Sequence, residues 1–183
     1  MSTLYLIRHG RTAANDAHLY CGSTDLPLSP QGIRELKTLT YDLHPRRILT
    51  SGMLRTEQTL QLILGEVPHE INREFREIDF GDFEMKSYEQ LKDDPDYQQW
   101  ISGDNEANVP PHGESGLQMT TRVLNALKEV LDREEDTLIV THGGVIAAIM
   151  AAFFPEAGLS RYQWQPRPGR GYAIGEDGCH PIP

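Results

Sequence analysis

The sequence predicts an α/β fold, three α/β/α layers built on a mainly parallel central sheet with a small inserted cap. Three observations carry that expectation. Short apolar runs of strand length alternate with stretches of helical periodicity along most of the chain. The runs at residues 3–8 and 137–141 are apolar through most of their length, as strands covered on both faces must be. One central stretch, residues 74–112, breaks the alternation with charge, Pro, Gly and Asn, and reads as a cap inserted over a single-domain core.

Residues 3–8 give the first strand, which Gly10 breaks. Ser29-Pro30 is an N-cap followed by proline in the first turn, and Ile33, Leu36, Leu39 or Thr40, and Leu43 continue at helical spacing, so a helix is placed at 30–43. Residues 47–51 read as a second strand. Ser51 is placed as the cap of a helix that Gly65 stops. The cap stretch holds short helical hints at 87–92 and 95–101. A long helix spans 115–131, with Leu117, Val123, Leu124, Leu127, Val130 and Leu131 marking its buried face. Thr137 to Thr141 is a buried strand, and Gly143-Gly144 opens an apolar helix to Phe153. A last strand falls at 170–175, and the tail, 176–183, is expected to be poorly ordered.

The chain has 183 residues, a size that suits one domain. Its start lacks the basic region and long apolar run of a secretory signal, and no run approaches a membrane span. Two cysteines, Cys21 and Cys179, have no metal-ligand spacing and fit a reducing, cytoplasmic setting. The net charge of -10 and the absence of a basic run argue against nucleic acid as a partner. An acidic chain repels small anions at long range, so a phosphate substrate would need positive charge concentrated locally.

Arg8-His9-Gly10 and His142-Gly143-Gly144 each stand at the C-terminal end of a strand, where open α/β sheets bind ligands. If those strands are neighbours, the two histidines meet. A lone histidine at a strand end is commonly structural; its company gives it weight. Arg55 lies about one turn into its helix, where a guanidinium fork and a helix N-terminus both favour phosphate. Asn15 could donate an amide hydrogen bond to the same group, or simply serve a turn.

Leu6-Ile7-Arg8-His9-Gly10, Asn15, the run Thr50 to Thr59 around Arg55, and Val140-Thr141-His142-Gly143-Gly144 together resemble the histidine phosphatase superfamily, which includes phosphoglycerate mutases. The resemblance runs from about residue 3 to 153 and implies a phosphoglycerate mutase-like fold. It implies His9 as the nucleophile that becomes phosphorylated, with Arg8, Arg55 and His142 as a clamp on the transferring phosphoryl group. Asn15, Cys21, Gly22 and Gly143 would be further substrate contacts, with no metal and no cofactor. The family's Glu-x-x-x-Gly pattern falls on Glu77 as general acid; Glu74, Asp79, Asp82 and Glu84 are its rivals. Arg11, Ala147 and Gly52 depart from residues common in relatives, and the first two bear on substrate choice.

The stretch 84–112 is short and acidic, with Lys86 and Lys92 its only basic side chains, which argues for monoester hydrolysis over a mutase or bisphosphatase. Phe80-Gly81-Asp82-Phe83-Glu84-Met85 looks similar to α-ribazole phosphatases of cobalamin biosynthesis. The expected substrate is therefore a small-molecule phosphate ester, α-ribazole 5′-phosphate foremost. A broad-specificity or sugar phosphatase, a phosphoglycerate mutase and a non-catalytic binding or regulatory protein are the alternatives. Nucleic acid and membrane are not expected partners, and a homodimer is left open. Whether Arg11, Arg161 or Arg170 reaches the substrate is open as well.

Overall fold

The computed structural model describes residues 2–104 and 106–183. Met1 and Asn105, the latter inside the expected cap stretch, lie outside the described residues. In chain order the elements are β1 (Leu4–Arg8), α1 (Ala13–Asp16), α2 (Pro30–Leu36), β2 (Arg47–Thr50), α3 (Leu54–Leu64) and β3 (Glu70–Ile71). Then follow α4 (Tyr88–Leu91), α5 (Pro95–Trp100), α6 (Gly116–Leu131), β4 (Thr137–Thr141), α7 (Gly143–Phe153), α8 (Arg161–Trp164), β5 (Gly171–Gly175) and β6 (Gly178–Ile182).

The strands form one sheet in the order β3-β2-β4-β1-β5-β6. β3, β2, β4 and β1 run parallel, while β5 is antiparallel to both its neighbours. Alternation along β1 sends Leu4 and Leu6 to one face and Tyr5 and Ile7 to the other. The first face packs with residues of α6 and α7, the second with Leu60 and Ile63 of α3. The predicted three-layer arrangement follows from strands that are apolar on both sides. Arg8 of β1 pairs in register with Thr141 of β4, so His9 and His142 leave adjacent strand ends side by side.

Several local expectations are corrected. α2 stops at Leu36 rather than at residue 43, because the Thr38 hydroxyl donates to the Glu35 carbonyl and competes with the helical ladder. Leu43 is nevertheless buried, reached by irregular chain. The N-cap of α3 is Met53, and its Leu54 N–H is satisfied by Asp25 from a distant loop; Ser51 is left free for another task. On α6 the buried stripe is Met119, Val123, Ala126, Leu127 and Val130. Leu117 is exposed: at 100° per residue it lies about 130° off the centre of that stripe. The tail forms β6, the outermost strand, after the turn at Gly175–Gly178 lets the chain fold back on β5. Within the stretch 74–112, Phe83, Leu91 and Tyr97 make a small apolar cluster of their own, with Tyr20, Phe80 and Trp100 against it.

Candidate active site

His9 continues the β1 ladder by donating its N–H to the Thr141 carbonyl at 2.9 Å. Its side chain is nearly buried, and Nδ1 lies 2.6 Å from the Gly10 carbonyl. A carbonyl only accepts, so Nδ1 carries the proton and Nε2 carries the lone pair. Burial first, then the charges of Arg55 and Arg8, hold the imidazole well below its ordinary pKa, and it is neutral at pH 7. His142 is wholly buried, its ring centroid 5.2 Å from that of His9. Its Nε2 hydrogen-bonds the Ser51 hydroxyl at 2.8 Å, which is why Ser51 does not cap α3. Its Nδ1 is buried without a hydrogen-bond partner, and so is Nε of Arg8.

Arg8 donates to the Pro166 carbonyl at 2.8 Å. Burial lowers its pKa while Glu77 opposes that shift. Arg55, only 1% exposed, donates to the carbonyls of Thr24 and Gly22 at 2.9 and 2.8 Å. The Thr59 hydroxyl accepts from Gly10 N–H and donates to the Arg55 carbonyl, which ties α3 to the end of β1.

Glu77 sits at the N-terminus of α7. Its Oε2 accepts from Gly144 N–H at 2.9 Å and its Oε1 from Ile78 N–H at 3.0 Å. A Cβ on Gly144 would stand 2.4 Å from Glu77 Oε1, so glycine is required for this approach. Arg122 of α6 holds the backbone here, donating to the carbonyls of Arg76 and Glu77 while pairing with Glu114. The rival carboxylates are engaged elsewhere: Asp79 with Ser23, Asp82 with His112, Glu84 with the loop at 22–24, and Glu74 is exposed.

A cavity of about 330 Å³ is lined by Arg8 and Glu77 of this cluster, while His9, Arg55 and His142 are not among its lining residues. Its lining includes the polar or small residues Arg8, Asn15, Cys21, Glu77 and Gly144 and the large apolar or aromatic residues Tyr20, Phe80, Trp100, Ile101 and Tyr162. Asn15 accepts from Thr12 N–H through Oδ1, which leaves its Nδ2 as the donor group. Burial pushes the Cys21 thiol up, so it stays protonated. Gly22 and Gly143 do not line the cavity: Gly22 spends its N–H on Glu84 and its carbonyl on Arg55, and Gly143 packs under Gln165. Arg11 pairs with Asp16, and Arg170 donates to the Pro183 carbonyl. Arg161 does line the cavity, where Glu106 neutralises it at 2.6 Å.

The profile of the histidine phosphatase superfamily (branch 1) matches residues 4–169. The chain belongs to the histidine phosphatase superfamily. This histidine phosphatase is 35% identical over 181 residues to the adenosylcobalamin/alpha-ribazole phosphatase of Salmonella typhimurium, covering 93% of this chain and 89% of that one. It is 28% identical over 170 residues to a probable phosphoglycerate mutase of Enterobacter, covering 88% of this chain and 78% of that one. Among solved structures it resembles a putative alpha-ribazole-5′-P phosphatase from Escherichia coli with TM-score 0.84 and 28% identity, over 98% of this chain and 94% of that one. No described helix of the phosphatase is long and apolar enough to cross a membrane. Among its described residues no cluster of His, Cys, Asp and Glu could hold a metal ion.

The buried histidines tie stability to pH. His9 and His142 are neutral when folded and titrate near 6.5 when unfolded, so below that value unfolding takes up protons. Stability is then expected to be full above about pH 6.5 and to fall as the pH drops below it, each histidine adding about 1.4 kcal/mol per pH unit to the slope. Urea unfolding at a series of pH values from 7.5 to 5 measures this. His142→Asn should remove about half of that histidine contribution, and an unchanged slope would refute the account.

Proposed function

We propose that this enzyme hydrolyses a small-molecule alkyl phosphate monoester whose alcohol carries an aromatic ring, α-ribazole 5′-phosphate foremost, through a phosphohistidine on His9. The observation that carries the reading is a neutral, oriented imidazole beside the guanidinium groups of Arg8 and Arg55, with the Glu77 carboxylate lining the adjacent cavity. Nε2 of His9 attacks phosphorus as the P–O ester bond breaks, and Glu77 gives its proton to the departing oxygen. Water then attacks the phosphohistidine, Glu77 takes a proton from it, the P–N bond breaks and phosphate leaves. Arg8, Arg55 and His142 stabilise the charge on the transferring group, where positioning and electrostatics supply most of the catalysis. Phosphate oxygens would satisfy the two buried, unpartnered nitrogens, His142 Nδ1 and Arg8 Nε. Asn15 Nδ2, whose partner oxygen is held by Thr12 N–H, would add a further hydrogen bond.

The leaving-group wall supports the choice of substrate. Tyr20, Phe80 and Trp100 pack against one another with ring centroids 5.1 to 6.0 Å apart, a surface suited to a flat, apolar ring. A mutase must grip a second acidic group. Here Arg161 is already compensated by Glu106, and Lys92 by Glu89. Two free thiols suit a cytoplasmic setting.

Initial rates with chelator present test the proposal on α-ribazole 5′-phosphate, 3-phosphoglycerate, sugar phosphates and an aryl phosphate. The expected result is a kcat/KM for α-ribazole 5′-phosphate at least about tenfold above the others, lost in Trp100→Ala. A rate no better than that for generic aryl phosphates removes the α-ribazole assignment. Isomerisation of 3-phosphoglycerate would replace hydrolysis by mutase chemistry.

A further inference from the structure

Glu84 was a rival for the general acid, yet its carboxylate points away from that task. It accepts from the N–H groups of Gly22 and Ser23 at 3.0 and 2.8 Å, from Thr24 N–H at 3.4 Å and from the Thr24 hydroxyl at 2.7 Å. Phe80 N–H adds a further donor at 3.1 Å. The loop that these bonds gather is the one whose carbonyls, at Gly22 and Thr24, hold the Arg55 guanidinium. The same two residues therefore turn their N–H groups to Glu84 and their C=O groups to Arg55.

That arrangement has a physical consequence. Among the described residues Arg55 has no carboxylate in ion-pair contact, although its side chain is buried. A direct carboxylate partner would orient the guanidinium but cancel the charge that phosphate needs. The Gly22–Ser23 peptide, with its Ser23 N–H on Glu84 and its Gly22 C=O on Arg55, orients it while leaving the charge uncancelled. The charge-assisted bond from Ser23 N–H to Glu84 polarises that peptide and strengthens the Gly22 carbonyl as an acceptor, while the bonds from Thr24 to Glu84 hold the second carbonyl in place. The packing has no slack, since a Cβ on Gly22 would lie 1.6 Å from the Ile78 carbonyl oxygen.

We infer that Glu84 is a positioning residue, which sets the Arg55 guanidinium for phosphate through the loop at 22–24. The inference rests on the proposed role of Arg55 in phosphate binding. It touches no reacting atom itself.

A double-mutant cycle tests it, with kcat/KM and inhibition by inorganic phosphate as readouts. Glu84→Gln, which keeps one acceptor oxygen and turns the other into a donor, should lower kcat/KM about 30-fold and weaken phosphate inhibition comparably. In an Arg55→Lys background, where the fork is gone, the same change should cost less than about threefold more. Equal fractional losses in the two backgrounds, with Arg55→Lys itself impaired, would overturn the inference and leave the site reading intact. An Arg55→Lys enzyme as active as the wild type would overturn the site reading, and the inference with it. If Glu84→Gln does not fold, Thr24→Val removes only the hydroxyl bond to Glu84. It should cost about threefold, again only where Arg55 is present; a loss of equal size in both backgrounds overturns the inference.

Discussion

His9→Ala is expected to lower kcat by about 10⁴-fold or more and to abolish covalent uptake of phosphate from labelled substrate. No neighbouring group can replace the imidazole as nucleophile. The Cys21 thiol is kept protonated by its burial, and the Ser51 hydroxyl is committed to His142 and Thr56. Water attacking directly would still meet the arginines, which accounts for a small residual rate. The label on the wild-type enzyme should be stable in base and lost in acid, as a phosphoramidate is. Substituting His9 also frees the Gly10 carbonyl that its ring bonds, so folding of the variant needs an unfolding curve beside the kinetics. A folded His9→Ala enzyme within tenfold of wild type would end the phosphohistidine reading.

Glu77→Gln should lower kcat by about 10²- to 10⁴-fold on an alkyl phosphate, while Glu74→Gln changes it little. The two differ because Glu77 lines the cavity and Glu74 is exposed. Leaving-group dependence separates acid catalysis from simple damage. An aryl phosphate releases a phenolate that hardly needs a proton, so phosphorylation of His9 should remain fast in Glu77→Gln. Hydrolysis of the phosphoenzyme still needs a base and should be slow. Stopped-flow assays should then show a burst of about one phenolate per site followed by slow turnover, with phosphoenzyme accumulating. Uniform slowing of aryl and alkyl substrates without a burst would sink the acid–base assignment.

Much of this site is legible in the chain because Arg8, His9 and His142 stand where apolar strand runs stop, the side of an open α/β sheet that binds ligands, and because they come in company with Arg55. The parallel pairing of β1 with β4 then does in space what no sequence interval can express. Glu77 needed a family pattern, since five acids of one stretch look alike until packing assigns each a partner. Arg161 was left open, and Trp100 and Tyr162 were missed as cavity residues, because their place in the cavity depends on tertiary docking of distant segments. Ser51 was misread for a related reason: a serine beside a helix start has a local use as a cap, and the buried His142 outbid it. β3 has two residues and β6 contains a proline, so neither carries a periodic signal.

Those two weak strands are also the rims of the sheet. β3 offers two residues' worth of backbone, with the Glu70 carboxylate held across it by Arg47 at 2.8 Å. On the opposite rim, Pro181 of β6 has no N–H to give a further strand. Both borders are thus unattractive templates for another chain, and a concentrated solution of this protein is protected against edge-on polymerisation. Self-association, where it occurs, falls to helical or loop surfaces instead of a continuous intermolecular sheet.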